Sequence, residues 1–222
     1  MTLDKNALFS DAFPFWPELD QGQRQTLIDG SFLSAIPKGT VTHQVQQGCK
    51  GLQLVLKGQL RVYIVSEEGR EVTLYRVRAG EVCVMSSSCL MDAIVFEVLI
   101  EAMADTQVLT IPSPILAPVL QRCPKAELFL YKTASTRFAD VMWTMQQILF
   151  MGADRRVAIF LWEEFRQNGP VIRLTHDEIA RCIGSAREVV TRVLNYFAQE
   201  GLVALGRGKI TLLQPDALQK LC

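Results

Sequence analysis

The chain has 222 residues, enough for one large domain or two small ones, and its 49% hydrophobic content supplies ample core. Its 23 Lys/Arg balance 23 Asp/Glu, so no bulk basic character announces nucleic acid. No apolar run is long enough to span a bilayer, the opening MTLDKNALFSD lacks a signal pattern, and the six cysteines are scattered rather than framed for disulfides. These features point to a cytoplasmic protein with reduced thiols and no membrane partner. The charge is uneven, however. Gly152 to Cys222 carry ten Lys/Arg against eight Asp/Glu, leaving 13 of the 23 basic and 15 of the 23 acidic residues before them.

In chain order, Leu3 to Ser34 read as a helical lead-in broken by Phe13-Pro14-Phe15-Trp16-Pro17, with a polar helix around Asp20–Gly30. Aromatic residues between prolines are expected to pack against a neighbouring sheet. From Ala35 to Pro112 the pattern is strand-like. Leu52–Leu56, Leu60–Val65, Val72–Val77, Val95–Glu101 and Gln107–Ile111 are short apolar or β-branched runs. Turns at Lys57-Gly58, Glu67–Arg70 and Ala79-Gly80 separate the first of them. Strands at this spacing predict an antiparallel barrel or jelly roll. Within it, Glu81 to Asp92 hold a serine-rich loop, Ser86-Ser87-Ser88, between Cys83 and Cys89, which stand six positions apart. Three readings of the two thiols stay open. They are small buried packing residues, part of a ligand pocket, or a redox, metal or haem site. Tetrahedral zinc would want a C-x-x-C pair, which is absent, so no metal ligands are assigned.

Pro114 to Pro124 read as a Pro-broken connector. Lys125 to Phe150 then form a long helical pattern, in which Leu128, Tyr131, Ser135, Phe138, Met142, Met145 and Leu149 recur three and four apart. One long helix with a single narrow apolar stripe needs a partner. Gly152-Ala153 break it, Asp154 is expected to cap the next helix, Arg155–Gln167, and Asn168-Gly169-Pro170 stop that one. Val171–Arg173 suit a short strand.

Two N-terminal helix signals follow, Thr175-x-x-Glu178 and Ser185-x-x-Glu188, each reading as a capping box, with Leu174 and Ile179 available as a hydrophobic staple. With Gly184 between them, two short helices form a helix-turn-helix. The second has an apolar face of Val189, Val190, Val193, Leu194 and Phe197 and an opposite face of Arg187, Glu188, Thr191, Arg192 and Asn195. A helix with an apolar back and an Arg/Glu/Arg front can rest on a core and read base edges. Leu202–Leu205 and Lys209–Leu213, joined through Gly206-Arg207-Gly208, read as a hairpin wing that offers Arg207 and Lys209 to phosphates. Ala217–Leu221 suit a brief terminal helix.

This segment resembles the DNA-binding helix-turn-helix of the Crp/Fnr superfamily, regulators related to the cyclic-AMP receptor protein. The residues that carry the likeness are Leu174-Thr175, Glu178-Ile179-Ala180, Ile183-Gly184, Arg187-Glu188, Arg192-Val193-Leu194 and Glu200-Gly201-Leu202-Val203. Gly58 and Gly80-Glu81 match the superfamily's sensor domain. The resemblance implies an α+β chain with three parts: a cyclic-nucleotide-binding-like jelly-roll sensor (1–124), a dimerisation helix (125–151) and a winged helix-turn-helix (152–222). It implies a homodimer on an inverted-repeat operator, with RNA polymerase as a further partner. Thr175, Ser185, Arg187, Glu188, Thr191, Arg192, Arg207 and Lys209 are the residues expected at DNA. Leu128, Tyr131, Phe138, Met142, Met145 and Leu149 would form the dimer seam.

Glu81, Cys83, Ser86, Ser87, Ser88, Cys89, Val141 and Met142 would line the effector pocket. In cyclic-nucleotide-binding relatives an Arg-Ser pair meets the phosphate, where this chain has Met91-Asp92, and no arginine occurs between Arg78 and Arg122. The helix positions that touch adenine fall at Val141 and Met142, both apolar. Cyclic AMP is therefore disfavoured. So is the superfamily's iron–sulfur cluster, because the N-terminal cysteines it needs are missing and the first cysteine is Cys49. Haem stays open. An enzyme using Cys83 or Cys89 with His43 or His176 as base is the contrasting class. With only two histidines and no triad-like arrangement, no catalytic residue is assigned.

Overall fold

Aspartates start the first two helices of the computed structural model, which describes residues 4–43, 51–84 and 98–222. Asp4 accepts from the Asn6 and Ala7 N–H groups at the head of α1 (Lys5–Ala12), and Asp20 forms a full capping box with Gln23 on α2 (Gln21–Gly30). Between them Trp16–Glu18 make one 3₁₀ turn. The chain divides into two compact units, Met1–Ile64 with Leu74–Val141 and Val65–Thr73 with Met142–Cys222.

Among the described residues, the strands of the N-terminal half form two four-stranded sheets. One contains β1 (Phe32–Ile36), β3 (Leu52–Lys57), β6 (Val82–Cys83) and β8 (Thr106–Ile111), in the order β1-β8-β3-β6. The other contains β2 (Val41–His43), β4 (Gln59–Val65), β5 (Glu71–Arg78) and β7 (Leu99–Ala102), in the order β2-β7-β4-β5. The two-residue side-chain period divides β3, β6 and β8 between two cores. Val55, Leu60, Val62, Val77, Ile100 and Val108 meet in one core, together with Tyr75 and Cys83. Leu52, Leu54, Leu109 and Ile111 face the other way, onto the helices. Burial on both faces explains why Leu52–Val55 read as a run rather than an alternation.

The aromatics of the lead-in do pack as expected. Phe9, Phe13, Phe15 and Trp16 are buried against that sheet face, with Phe129 of the long helix edge-on to Phe13 at 5.8 Å between ring centroids. Three expectations need correction here. Strand pairing starts at Phe32 rather than Ala35, and two very short strands, β2 and β6, were not foreseen. The proline-broken connector is instead a helix, α3 (Ser113–Arg122). Pro114 sits in its first turn, where a missing N–H costs nothing, and burial of Leu116 and Val119 holds Pro118 inside it against a penalty of about 3 kcal/mol. Val95 lies outside the described residues.

The long helix α4 runs from Pro124 to Phe150. In the second unit, α5 (Ala153–Asn168) is capped by Gly152 without a side-chain bond, so Asp154 lies in the first turn and is not the cap. Gly169 ends it as foreseen, donating its N–H to Phe165 O. The unit continues with β9 (Val171–Ile172), α6 (His176–Ile183), α7 (Arg187–Gln199), β10 (Val203–Gly206), β11 (Lys209–Leu212) and α8 (Pro215–Gln219). The sheet order β10-β11-β9 places the hairpin against the strand before α6, the expected winged arrangement. Arg207-Gly208 form its two-residue turn, with Gly208 at φ +66°.

Candidate nucleic-acid interface and effector site

Three local devices fix the helix-turn-helix. Thr175 Oγ1 accepts from the Glu178 N–H at 3.2 Å, while the Glu178 carboxylate accepts from the Thr175 N–H at 2.8 Å, completing the first capping box. Gly184 then takes φ +62° in the left-handed region, and the Ser185 N–H turns back to Ala180 O at 2.9 Å. Finally, Val190, Leu194 and Phe197 of α7 are buried with Val157, Leu161, Ile179, Ile183 and Ile210. Burial of each of these three side chains stabilises the unit by about 1.5–3 kcal/mol.

The second capping box does not form. The α7 cap is Ala186, with no side-chain bond, so Ser185 stands one residue too early. The left-handed turn already engages its backbone, which leaves its hydroxyl beside the helix entrance rather than on it.

The α6 C-terminus is held by three donors from two separate segments of the second unit, residues 65–73 and α5. Arg181 O accepts from Thr73 Oγ1 at 2.9 Å, Ile183 O from Arg156 at 2.8 Å, and Gly184 O from Arg70. Burial, and then the neighbouring Arg70, lower the Arg156 pKa. No sequence pattern announced this arrangement, whose partners lie more than 100 positions apart in two of the three bonds.

The outer face of α7 carries Arg187, Glu188, Arg192 and Asn195 exposed, with Thr191 half-buried among them. Tyr196 and Gln199 extend the same hollow, about 520 Å³ in volume. Arg207 and Lys209 are exposed on the wing. His176 was not among the expected site residues. Its Nδ1 lies 2.9 Å from Thr191 Oγ1, and burial, then the charge of Arg187, hold its pKa below the usual histidine value.

In the first unit Glu81 closes the turn before β6, accepting from the Arg78 N–H at 2.9 Å. Cys83 is fully buried, and Val141 of α4 packs on the same core. Met142 is about half exposed. Ser86, Ser87, Ser88 and Cys89 lie outside the described residues, as do Met91-Asp92 and Cys49.

Two residues join this site that the sequence reading passed over. Arg137 of α4 bonds Glu81 at 3.2 Å and Asp140 at 3.0 Å, and its guanidinium lies 5.2 Å from the Tyr75 ring centroid. Burial works against the Arg137 charge, but the two carboxylates outweigh it and its pKa is raised. Burial, then Cys83, raises Tyr75 well above the usual phenol value, and its buried hydroxyl has no hydrogen-bond partner among the described residues. A guanidinium therefore does reach Glu81, from the helix rather than from the loop. One signal was available: Arg137 precedes Val141 by four residues, one turn on the same helix face. Among the described residues no cluster of three metal-ligating side chains exists, and no helix is long and apolar enough to cross a membrane.

Comparison with known proteins agrees with this architecture. Residues 155–221 match the family model described as a Crp-like helix-turn-helix domain. The chain is 31% identical over 176 residues to the transcriptional regulator SdrP of Thermus thermophilus, covering 75% of this chain and 81% of that protein. It is 28% identical over 173 residues to the cyclic AMP receptor protein of the same organism, covering 78% and 79%. Among solved structures, a protein from Eubacterium rectale assigned to the Crp/Fnr family of transcriptional regulators superposes with a TM-score of 0.88. Its identity is 44%, over 95% of this chain and 98% of that one.

Proposed function

The chain belongs to the Crp/Fnr family of transcription regulators, and from that premise we propose that it is a homodimer reading an inverted-repeat operator under control of a signal sensed in the N-terminal jelly roll. Regulators of this family bind DNA and are typically dimeric. The observation that carries the reading is α7 itself, with Val190, Leu194 and Phe197 sunk in the core and Arg187, Glu188 and Arg192 exposed opposite them. Arginine bonds bidentately to guanine O6 and N7, and glutamate accepts from cytosine N4. TGTGA-like half-sites offer guanines to both arginines and a cytosine to Glu188. Thr175, Ser185 and Thr191 flank these readers, and Arg207 and Lys209 hold phosphates.

The proposed sensor spans 1–124 and the DNA-binding part 152–222, joined by the dimerisation helix 125–151. The effector site centres on Glu81, Cys83 and Val141, to which Arg137 and Tyr75 are added, with Ser86–Ser88, Cys89 and Met142 as further lining. Cyclic AMP is not the effector in this reading. Val141 and Met142 offer adenine no polar partner, and the Arg137 charge is already matched by Glu81 and Asp140. The full burial of Cys83 supports packing or ligand lining over the nucleophile of an enzyme. The signal is a small molecule or a redox change, and haem is distinguished by an absorption spectrum of the purified protein. It would act by shifting the population of DNA-competent dimers. The site of action is the cytoplasm, with RNA polymerase as the final partner. Binding-site selection from random duplexes tests the reading. A symmetric guanine-containing repeat is expected, and its absence would refute the assignment of α7.

A further inference from the structure

His176, the first residue of α6, has no part in the reading above, yet it stands among the groups proposed to meet DNA. It lines a cleft of about 470 Å³ between the start of α6 and the wing, whose walls also carry Thr175, Asp177, Arg187 and Lys209. Nδ1 lies 2.9 Å from Thr191 Oγ1 on α7, and Nε2 makes no hydrogen bond among the described residues. The charged groups around the ring come from each neighbouring element. Arg187 on α7 and Lys209 on the wing are cations. The Asp177 carboxylate turns to Arg181 at 3.5 Å, and that of Glu178 is taken up by the Thr175 cap. The cleft thus presents cations, and no anion among the described residues is paired to the ring.

Resting on the DNA-binding reading, we propose that His176 is a proton-linked phosphate contact, and that it positions Thr191 for reading. A backbone phosphate of the duplex seats in the cleft and holds a proton on the ring. In the neutral ring with its proton on Nε2, Nδ1 accepts from the Thr191 hydroxyl, which spends that hydroxyl's proton inside the protein. When the ring takes a second proton from solvent, Nδ1–H donates to Thr191 Oγ1 and Nε2–H donates to a phosphate oxygen. The Thr191 hydroxyl proton is then released to point at the duplex. One proton enters from solvent, and no covalent bond changes.

The sign follows from the two environments. In the unbound protein, burial and then Arg187 hold the ring below its ordinary pKa. A phosphate anion at Nε2 raises it in the complex. Binding therefore takes up a proton between the two values. Affinity grows as pH falls through the pKa of the complex and levels off below that of the unbound protein, with a limit of about tenfold per pH unit for one linked proton.

The test uses the full chain and the duplex recovered by selection, with fluorescence anisotropy at fixed salt between pH 6 and 8. The wild-type protein should bind about three- to tenfold more tightly at pH 6 than at pH 8. His176→Asn keeps an amide near Thr191 but cannot take the proton, and should show a flat profile at the weaker, high-pH level. A wild-type profile that is flat, or a His176→Asn profile with the wild-type slope, overturns the proposal while leaving the DNA reading intact. Failure to bind any duplex at any pH removes both. A second measurement does not depend on the variant's folding. The chain has two histidines, so titration of the wild-type imidazole NMR signals with and without duplex should show one pKa moving up. No upward movement overturns the proposal.

Discussion

Arg187 and Arg192 are each exposed on α7 with no carboxylate partner among the described residues, so truncating either removes a base contact without exposing core. Either change to alanine should weaken operator binding by about 1–3 kcal/mol and relax preference at one base pair, measured by competition among single-base operator variants. An Arg187→Ala protein with unaltered base preference would show the helix to be set differently in the groove. The two hydroxyls that look alike in sequence should part company in a stability measurement. Thr175→Ala removes a made cap and should cost about 1 kcal/mol in urea unfolding. Ser185→Ala removes none and should lie within about 0.5 kcal/mol of the wild type.

At the scale of elements, the apolar stripe on α4 is the feature that most needs a partner. Phe138 is 66% and Leu149 65% exposed in the single chain, with Leu128, Tyr131, Met142 and Met145 about half exposed between and before them. Replacing Phe138 and Met142 together with aspartate should give a monomer in sedimentation and weaken operator binding severely, because two half-sites are no longer engaged together. A double mutant that still sediments as a dimer would place the interface elsewhere. The long helix and its stripe were legible from residue spacing, because they repeat one period over many positions, and the wing from the Gly206-Arg207-Gly208 turn between two apolar runs. Features resting on a single residue were not. The start of α7 depends on the left-handed turn at Gly184, which consumes the backbone of Ser185 and moves the cap to Ala186. Pro118 reads as a break until Leu116 and Val119 are seen to be buried. Two-residue β6 carries no period at all. The Arg137–Glu81 pair joins residues 56 positions apart, and only the fold brings them together.

For the whole molecule, the effector and the DNA ends make separable predictions. A cyclic nucleotide would have to displace Glu81 and Asp140 from Arg137, so calorimetry should detect no binding of cyclic AMP or cyclic GMP at micromolar concentration. A tight isotherm would overturn the effector assignment and leave the operator reading standing. On the wing, Arg207→Ala or Lys209→Ala should weaken binding evenly across sequences and flatten the slope of log affinity against log salt by about one per lost phosphate contact.

The donors on the α6 C-terminus carry a practical consequence for dissecting the protein. Two of the three, Arg70 and Thr73, come from a stretch that precedes α5 by some 80 residues, so the DNA-binding unit is discontinuous in the gene. A fragment begun at Gly152 keeps Arg156 but loses the Thr73 donor to Arg181 O and leaves Gly184 O only the long 3.5 Å bond from Arg156. At about 1 kcal/mol for each lost bond, such a fragment should exchange the amide of Ser185 measurably faster than the intact chain does. Supplying residues 65–73 as a peptide should slow that exchange again, as a missing strand of a split protein restores its other half.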